Sequence, residues 1–480
     1  MSHEESVFLF VFAIQLVYDI TCVSEGRIFM SNIRSSKNLM TEGSVSAKII
    51  GFAVPLFLGN LFQQLYNTVD SLIVGNYLGS EALAAVSTAG NLIFFMIGFV
   101  YGLSQGAGVV IARYIGAKDS KATEIAVHTT VALGVFCSIL LTLLGTVFAP
   151  QILILMSTPE NVLPLSVSYF RVYFAGATCF VMYNIFVGIL QAAGDSKHPL
   201  QYLVTSSIIN IFLDIIFIRF LGLGVAGAGL ATVIAQAVSV ILCCTRLMRT
   251  DDDYRLIWSK VRFHRSTLAK IIQYGLPSGF QNSIIGFANV VVQSHINYFG
   301  DMAMAGAGAY SKIEGFAFLP ITSFTMALTT FVSQNIGAGK YDRVKKGAIF
   351  GTICSVSIAE VIGVIIYTFA PILIAAFDNT SEVVQLGTDR ARICALFYCL
   401  LAFSHVMSSI LRGAGRSIIP MIIMMICWCI IRVSILIVSS LFVRDLNIVN
   451  SVYPITWALS SICFSVYFKA SKVLTPQSAA

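Results

Sequence analysis

The chain has 480 residues, of which 57% are hydrophobic and 11% charged, with a net charge of +7 and a mean hydropathy of +0.84. A water-facing domain carries about 25% charged residues, so this composition excludes an ordinary soluble protein. The positive balance does not point to nucleic acid, because Lys and Arg fall in short clusters between apolar runs, as the orientation of a membrane protein requires.

Residues 7–18 form an apolar run too short to span a bilayer, and acidic Glu4 and Glu5 precede it, unlike the positive start of a signal peptide. Residues 1–45 are therefore expected to be an extension outside the fold. Either the natural start is Met30 or Met40, or the stretch is a loose interfacial segment. Twelve apolar segments follow, at about 47–74, 82–112, 124–148, 162–190, 199–220, 226–247, 268–297, 305–335, 347–369, 384–411, 418–441 and 452–470. They are unbroken over roughly 20 residues and do not alternate with period two, so they read as spanning helices and not as barrel strands. The division is an N-lobe of six helices (46–247), a linker (248–267), a C-lobe of six helices (268–470) and a tail (471–480).

The first segment reads LGNLFQQLYNTVDSLIVGNYLG. Asn60, Gln63, Gln64, Asn67, Asp70 and Ser71 recur at three- and four-residue steps, which predicts one polar stripe on an apolar helix. An Asp near the bilayer centre costs about 2.5–3.5 kcal/mol, so the stripe must face the bundle interior or water. The amides fit interhelical hydrogen bonding as well as function, whereas Asp70 reads as functional. Pro55, fifteen residues earlier, removes a backbone hydrogen bond and makes a bend inexpensive. The second segment carries Gly98, Gly102, Gly106 and Gly108, which permit close helix contact or bending.

In the fifth segment Asn210 and Asp214 are four residues apart and share a face. Two membrane-embedded carboxyl groups can share a proton, or with nearby oxygens coordinate Na⁺. Thr232 in the sixth segment can supply such an oxygen. In the eighth, Lys312 and Glu314 diverge around the helix; Glu314 can meet a cationic substrate or hold helices together. Arg171 and Arg432 are expected near the outer ends, with their head groups reaching the interface. Ten of the eleven cysteines lie inside apolar segments and no CxxC occurs, so they read as small core residues.

An internal repeat ties these segments together. Pro55 and Asn60 recur as Pro277 and Asn282, Gly116 recurs as Gly337, and LQAAGDSKHP (190–199) recurs as LRGAGRSIIP (411–420), always 221 or 222 residues on. An even number of helices per repeat gives two parallel six-helix bundles related by an axis along the membrane normal, with substrate expected between them near mid-depth. The halves differ at the acids: Asp70 maps to Val291 or Val292, and Asp214 to Ile435. The seventh helix keeps only amides (Asn282, Asn289, Gln293), so ion coupling through these acids belongs to the N-lobe. With the N-terminus inside, twenty-two Lys and Arg residues fall on the inner side. Only Arg219, Arg390, Arg392 and Arg444 fall in outer connections, which places both termini in the cytoplasm. No nucleotide-binding, zinc-protease or hydrolase motif is present, and no enzymatic activity, cofactor or metal centre is expected.

These features together resemble the multidrug and toxic compound extrusion (MATE) family, in its DinF-like bacterial branch. The resemblance covers roughly residues 40–470 and rests on PLFLGNLFQQLYNTVDSLIVGNYLG, RYIGAKD/QNIGAGK, LQAAGDSKHP/LRGAGRSIIP and NIFLDIIFIRFLGLGVAGAG. It implies an all-α integral membrane fold of twelve transmembrane helices in two pseudo-symmetric lobes, and ion-driven export of drugs and toxins from the bacterial inner membrane. The family's cation-coupling cluster carries over onto Asp70, Asn210, Asp214 and Thr232, with Pro55 as the bending proline and Tyr66 beside the site. Substrate-cavity and gating roles fall on Pro55, Asn60, Gln63, Tyr66, Asn67, Asn282 and Glu314. Some relatives bind the cation through an acid in the seventh helix, which this chain lacks. H⁺ is favoured over Na⁺, since a sodium cage at Asp70 and Asp214 would want more preorganised oxygens. The expected partners are small-molecule drugs, H⁺ or Na⁺ and the lipid bilayer, with the chain acting as a monomer. A lipid-linked oligosaccharide flippase of the same superfamily is the alternative, and it would show a basic cavity.

Overall fold

The computed structural model describes residues 39–155, 158, 162–442, 444–471 and 473–474, and among them every regular element is helical. Most of the segment set aside as an extension (1–38) and the end of the tail (475–480) lie outside the described residues. The N-terminal half contains α1 (Val45–Leu78), α2 (Ser80–Gly116), α3 (Ser120–Val147), the short α4 (Ala149–Leu155), α5 (Leu163–Ala175), α6 (Ala177–Ala192), α7 (Lys197–Asp214) and α8 (Gly224–Arg249). The C-terminal half contains α9 (Arg265–Asn297), α10 (Asp301–Gly337), α11 (Tyr341–Ala375), α12 (Ser381–Ala395), α13 (Tyr398–Gly413), α14 (Ile418–Met424), α15 (Arg432–Phe442) and α16 (Leu446–Ser471).

Among the described residues, eight helical segments are long and apolar enough to cross a membrane, and ten are if each bent pair is one span. The other two long helices, α2 and α9, have 37 and 33 residues, more than the roughly 20 a bilayer needs. The bent pairs repeat the internal symmetry. The α5–α6 pair breaks at Gly176 and bends by 51°, while α12–α13 breaks at Leu396 and Phe397 and bends by 52°. The two breaks lie 220 or 221 residues apart, within a residue of the repeat.

Two wide turns were not legible in the sequence. A π-helical turn, Ile215–Phe220, continues α7 directly after Asp214, and a second, Met425–Ile431, joins α14 to α15 directly before Arg432. Such turns shift the helix register and re-aim side chains, and they concentrate at functional positions. By contrast, α1 runs unbroken through Pro55.

The linker, residues 250–264, marks one end of the bundle, where the halves meet backbone to backbone. A methyl group added at Gly102 would overlap the main chain of Gly279, and one at Gly106 that of Gly275. Gly116 likewise lies against Gln334, and Gly337 against Arg113. Hydrocarbon provides no hydrophobic drive between helices, so dispersion across such close crossings must hold them. Polar contacts reinforce this end. Arg412 donates to Gln105 Oε1 at 3.2 Å and Asn60 to Ser323 Oγ at 3.3 Å. The fully buried Gln334 accepts from the Met40 N–H at 2.8 Å and donates to the Ala192 carbonyl at 2.7 Å. Part of the presumed extension is thus seated on the bundle: Met40 is buried and its carbonyl accepts from Asn335 and Arg343.

Candidate functional site

The polar residues of α1 do not form one stripe with one destination. Asn60 turns to α10, donating to Thr322 and Ser323. Gln63, Asn67 and Ser71 are exposed, as are Asn289 and Gln293 on α9, and Asn67 and Asn289 occupy matching positions of the repeat. Exposed amides on a spanning helix belong against water, because hydrocarbon offers them no partner. The halves therefore part toward the end away from the linker. Asn282 is half-buried on the same helix.

Asp70 sits at the edge of this exposed row and points inward. Its carboxyl lies close enough to that of Asp214 for the two to be directly coupled. Asp214 is fully buried, and neither of its oxygens, nor Oδ1 of Asp70, receives a protein donor. Asn210, one turn before Asp214, is 2% exposed with both amide atoms unpartnered. Buried polar atoms left unmatched cost about 1–3 kcal/mol each, so a cluster to which the protein supplies no partner is suited to taking one from outside the chain. Tyr66, Asn210 and Thr232 line a small cavity with Ser206, Ser207 and Gln236, holding room for a single water-sized particle, about 10 Å³. Thr232 donates to the Ala228 carbonyl at 3.1 Å, leaving its lone pairs free. The ligand atoms are hard oxygens, with the amide nitrogens of Asn210 and Gln236 beside them, which suits a proton or a small hard cation.

Asp70, Asn210, Asp214, Thr232 and Tyr66 are therefore assembled in one place, while Pro55, Asn60 and Glu314 lie elsewhere. Ser206, Ser207 and Gln236 were missed, although the signal existed: Ser206, Asn210 and Asp214 stand at four-residue steps, and so do Thr232 and Gln236. Tyr169, electrostatically close to Asp70 and Asp214, comes from α5, and no local pattern announces it.

The C-terminal half carries the opposite charge at the corresponding depth. Arg432 is 1% exposed and Arg390 is 5% exposed. Arg432 thus does not reach the interface, and Arg390 does not belong to an outer connection. Both lie inside the bundle, because aromatic rings replace water around them. Arg432 stands 4.4 Å from the Tyr453 ring centroid and 5.6 Å from that of Trp428, and Arg390 stands 5.2 Å from Tyr453 and 5.4 Å from Tyr310. Glu314 is on this side too, accepting from Tyr310 at 3.5 Å, so its nearest charges are guanidinium groups of the protein itself.

The MatE family model matches the chain twice, over residues 55–216 and 277–438, so the two matches are themselves offset by 222 residues. The chain is 27% identical over 426 residues to "Probable multidrug resistance protein YoeA" of Bacillus subtilis, covering 87% of this chain and 92% of that one. It is 27% identical over 389 residues to "Probable multidrug resistance protein NorM" of Thermotoga maritima, covering 79% and 82%. Among solved structures it resembles "Outward-facing conformation of a multidrug resistance MATE family transporter of the MOP superfamily", with a TM-score of 0.85 at 23% identity, over 92% of this chain and 99% of that one.

Proposed function

The chain belongs to the MatE family, and from that premise we propose that it is a multidrug efflux antiporter, exporting amphipathic compounds through the cleft between its lobes as H⁺ enters the N-lobe. The observation that carries this reading is the Asp70–Asp214 pair, two neighbouring carboxyl groups at the edge of the open part of the cleft, of which neither oxygen of Asp214 nor Oδ1 of Asp70 receives a protein donor. Two carboxylates cannot both stay ionised at that range in a low dielectric, so the pair takes up a proton from whichever side has access. In this reading the linker end is cytoplasmic, the cleft opens outward, and the protein stands ready to load the ion and release substrate. Protonation removes the repulsion between Asp70 and Asp214, letting α1 tighten against α7 and bend near Pro55. The family placement is that of a transporter and not of an enzyme.

The test is dye transport in inverted membrane vesicles under an imposed proton gradient, compared with an imposed sodium gradient. Uptake driven by the proton gradient alone is expected. Uptake driven only by sodium would reassign the same oxygens to Na⁺, and uptake with neither would remove the coupling role.

Asn210 yields a separate expectation. Because its amide is buried and unmatched, Asn210→Leu should hold or raise the melting temperature while transport falls about tenfold, the trade expected where a site is kept at the expense of stability. A drop in both would make Asn210 a structural residue.

A further inference from the structure

We propose that the C-lobe holds an anion-recognition site formed by Arg390 and Arg432, which takes the carboxylate or phosphate group of an amphipathic molecule in the cleft. It deepens the export reading by naming part of the substrate, and it rests on that reading only for the identity of the cleft.

The charge balance carries the case. Two guanidinium groups are buried beside one carboxyl, that of Glu314. Among the described residues, every ion pair within 4 Å involves other side chains, so neither arginine is paired at contact. The arginines are also short of acceptors. Arg390 donates to Asn450 Oδ1 at 3.3 Å, and its Nε is buried without a partner. Arg432 donates to Thr456 Oγ1 at 2.9 and 3.3 Å, and to Asn289 Oδ1 at 3.3 Å. A buried guanidinium presents five N–H groups in a planar fork matched to carboxylate and phosphate, and an unpaired one is costly in a low dielectric. Both arginines lie against the same Tyr453 ring, which brings the two guanidinium groups into one region of the C-lobe.

Access runs through Asn289. Its side chain holds Arg432 on one side, and the residue belongs to the exposed row of α9 on the other. An incoming anion that displaces this amide exchanges a neutral acceptor for a charged one, which strengthens the hydrogen bond. The repeat supplies an independent observation. Arg390 and Tyr453 stand where Tyr169 and Thr232 stand in the N-lobe, 221 residues earlier. The two lobes thus offer the same depth of the cleft pockets of opposite sign.

The test uses two dyes that differ only in one group: rhodamine 110, with a free carboxylate, and its methyl ester rhodamine 123. Binding to the purified full chain is read by fluorescence polarisation, with geranyl phosphate and geraniol as competitors. The expected result is about tenfold tighter binding of rhodamine 110, lost in Arg390→Gln and Arg432→Gln, while rhodamine 123 binds those variants as before and so reports that they are folded. The dye preference identifies a small-molecule carboxylate as the occupant. Displacement by geranyl phosphate but not geraniol, without a dye preference, identifies a lipid phosphate. Equal binding of both dyes with no competition by the phosphate overturns the site, as does a preference that survives both substitutions. Asp70→Asn should leave the preference intact, so loss of proton-driven transport with the preference retained, or the reverse, separates failure of one reading from failure of the other.

Discussion

Asp70→Asn is expected to lower proton-driven dye transport by roughly 100-fold or more and to reduce drug resistance to that of cells lacking the protein, at unchanged abundance in the membrane. The substitution keeps the shape of the side chain, so packing of α1 is little disturbed. It removes the group that can carry a proton from the water-facing edge to Asp214, which is itself fully buried. Asp214→Asn should be nearly as severe, and the double variant no worse than either single one, because the two carboxyl groups act as one titrating unit. Proton-driven transport at wild-type rate in Asp70→Asn, measured in vesicles with the protein quantified by immunoblot, would end the proposed mechanism.

Gly106→Val is expected to abolish transport by a different route. Its Cα lies against the backbone of Gly275 on α9, where no flexible side chain can give way. Closure at the linker end would then have to open by the thickness of a side chain, a penalty of about 1–3 kcal/mol that shifts the balance between closed and open forms by one or two orders of magnitude. Gly98→Ala on the same helix is the control, since a methyl group there meets nothing within 4 Å. Labelling of a cysteine introduced at the linker end by a membrane-impermeant thiol reagent should rise in Gly106→Val and stay unchanged in Gly98→Ala. Equal labelling in the two variants would show that this crossing is not part of the closure.

The contrast between these residues shows how far the sequence could be read. The glycines of α2 were visible as a run permitting close contact, yet nothing in their spacing distinguishes Gly98, which faces open space, from Gly106, which meets a backbone. The difference lies in which partner helix crosses at that level, and the contact of Gly106 with Gly275 joins residues 169 positions apart. Asp70 and Asp214 were legible as a pair for a simpler reason: a carboxyl group within hydrocarbon is so unfavourable that its presence alone implies an interior partner. Arg432 was misjudged by the same logic. An intramembrane arginine can escape to the interface along its stem, and local sequence does not reveal that Tyr453 and Trp428 arrive to enclose it.

The sequence by itself determined the class, the repeat and the inequality of its halves, because long apolar runs, a constant offset and the type of charge are properties of the chain in one dimension. The tertiary structure alone decided which polar faces meet water and which meet each other, where the π-helical turns fall beside Asp214 and Arg432, and that one lobe gathers acids while the other gathers guanidinium groups. Those outcomes depend on helix rotation and crossing, which backbone packing sets between segments far apart in the chain, and no local periodicity encodes them.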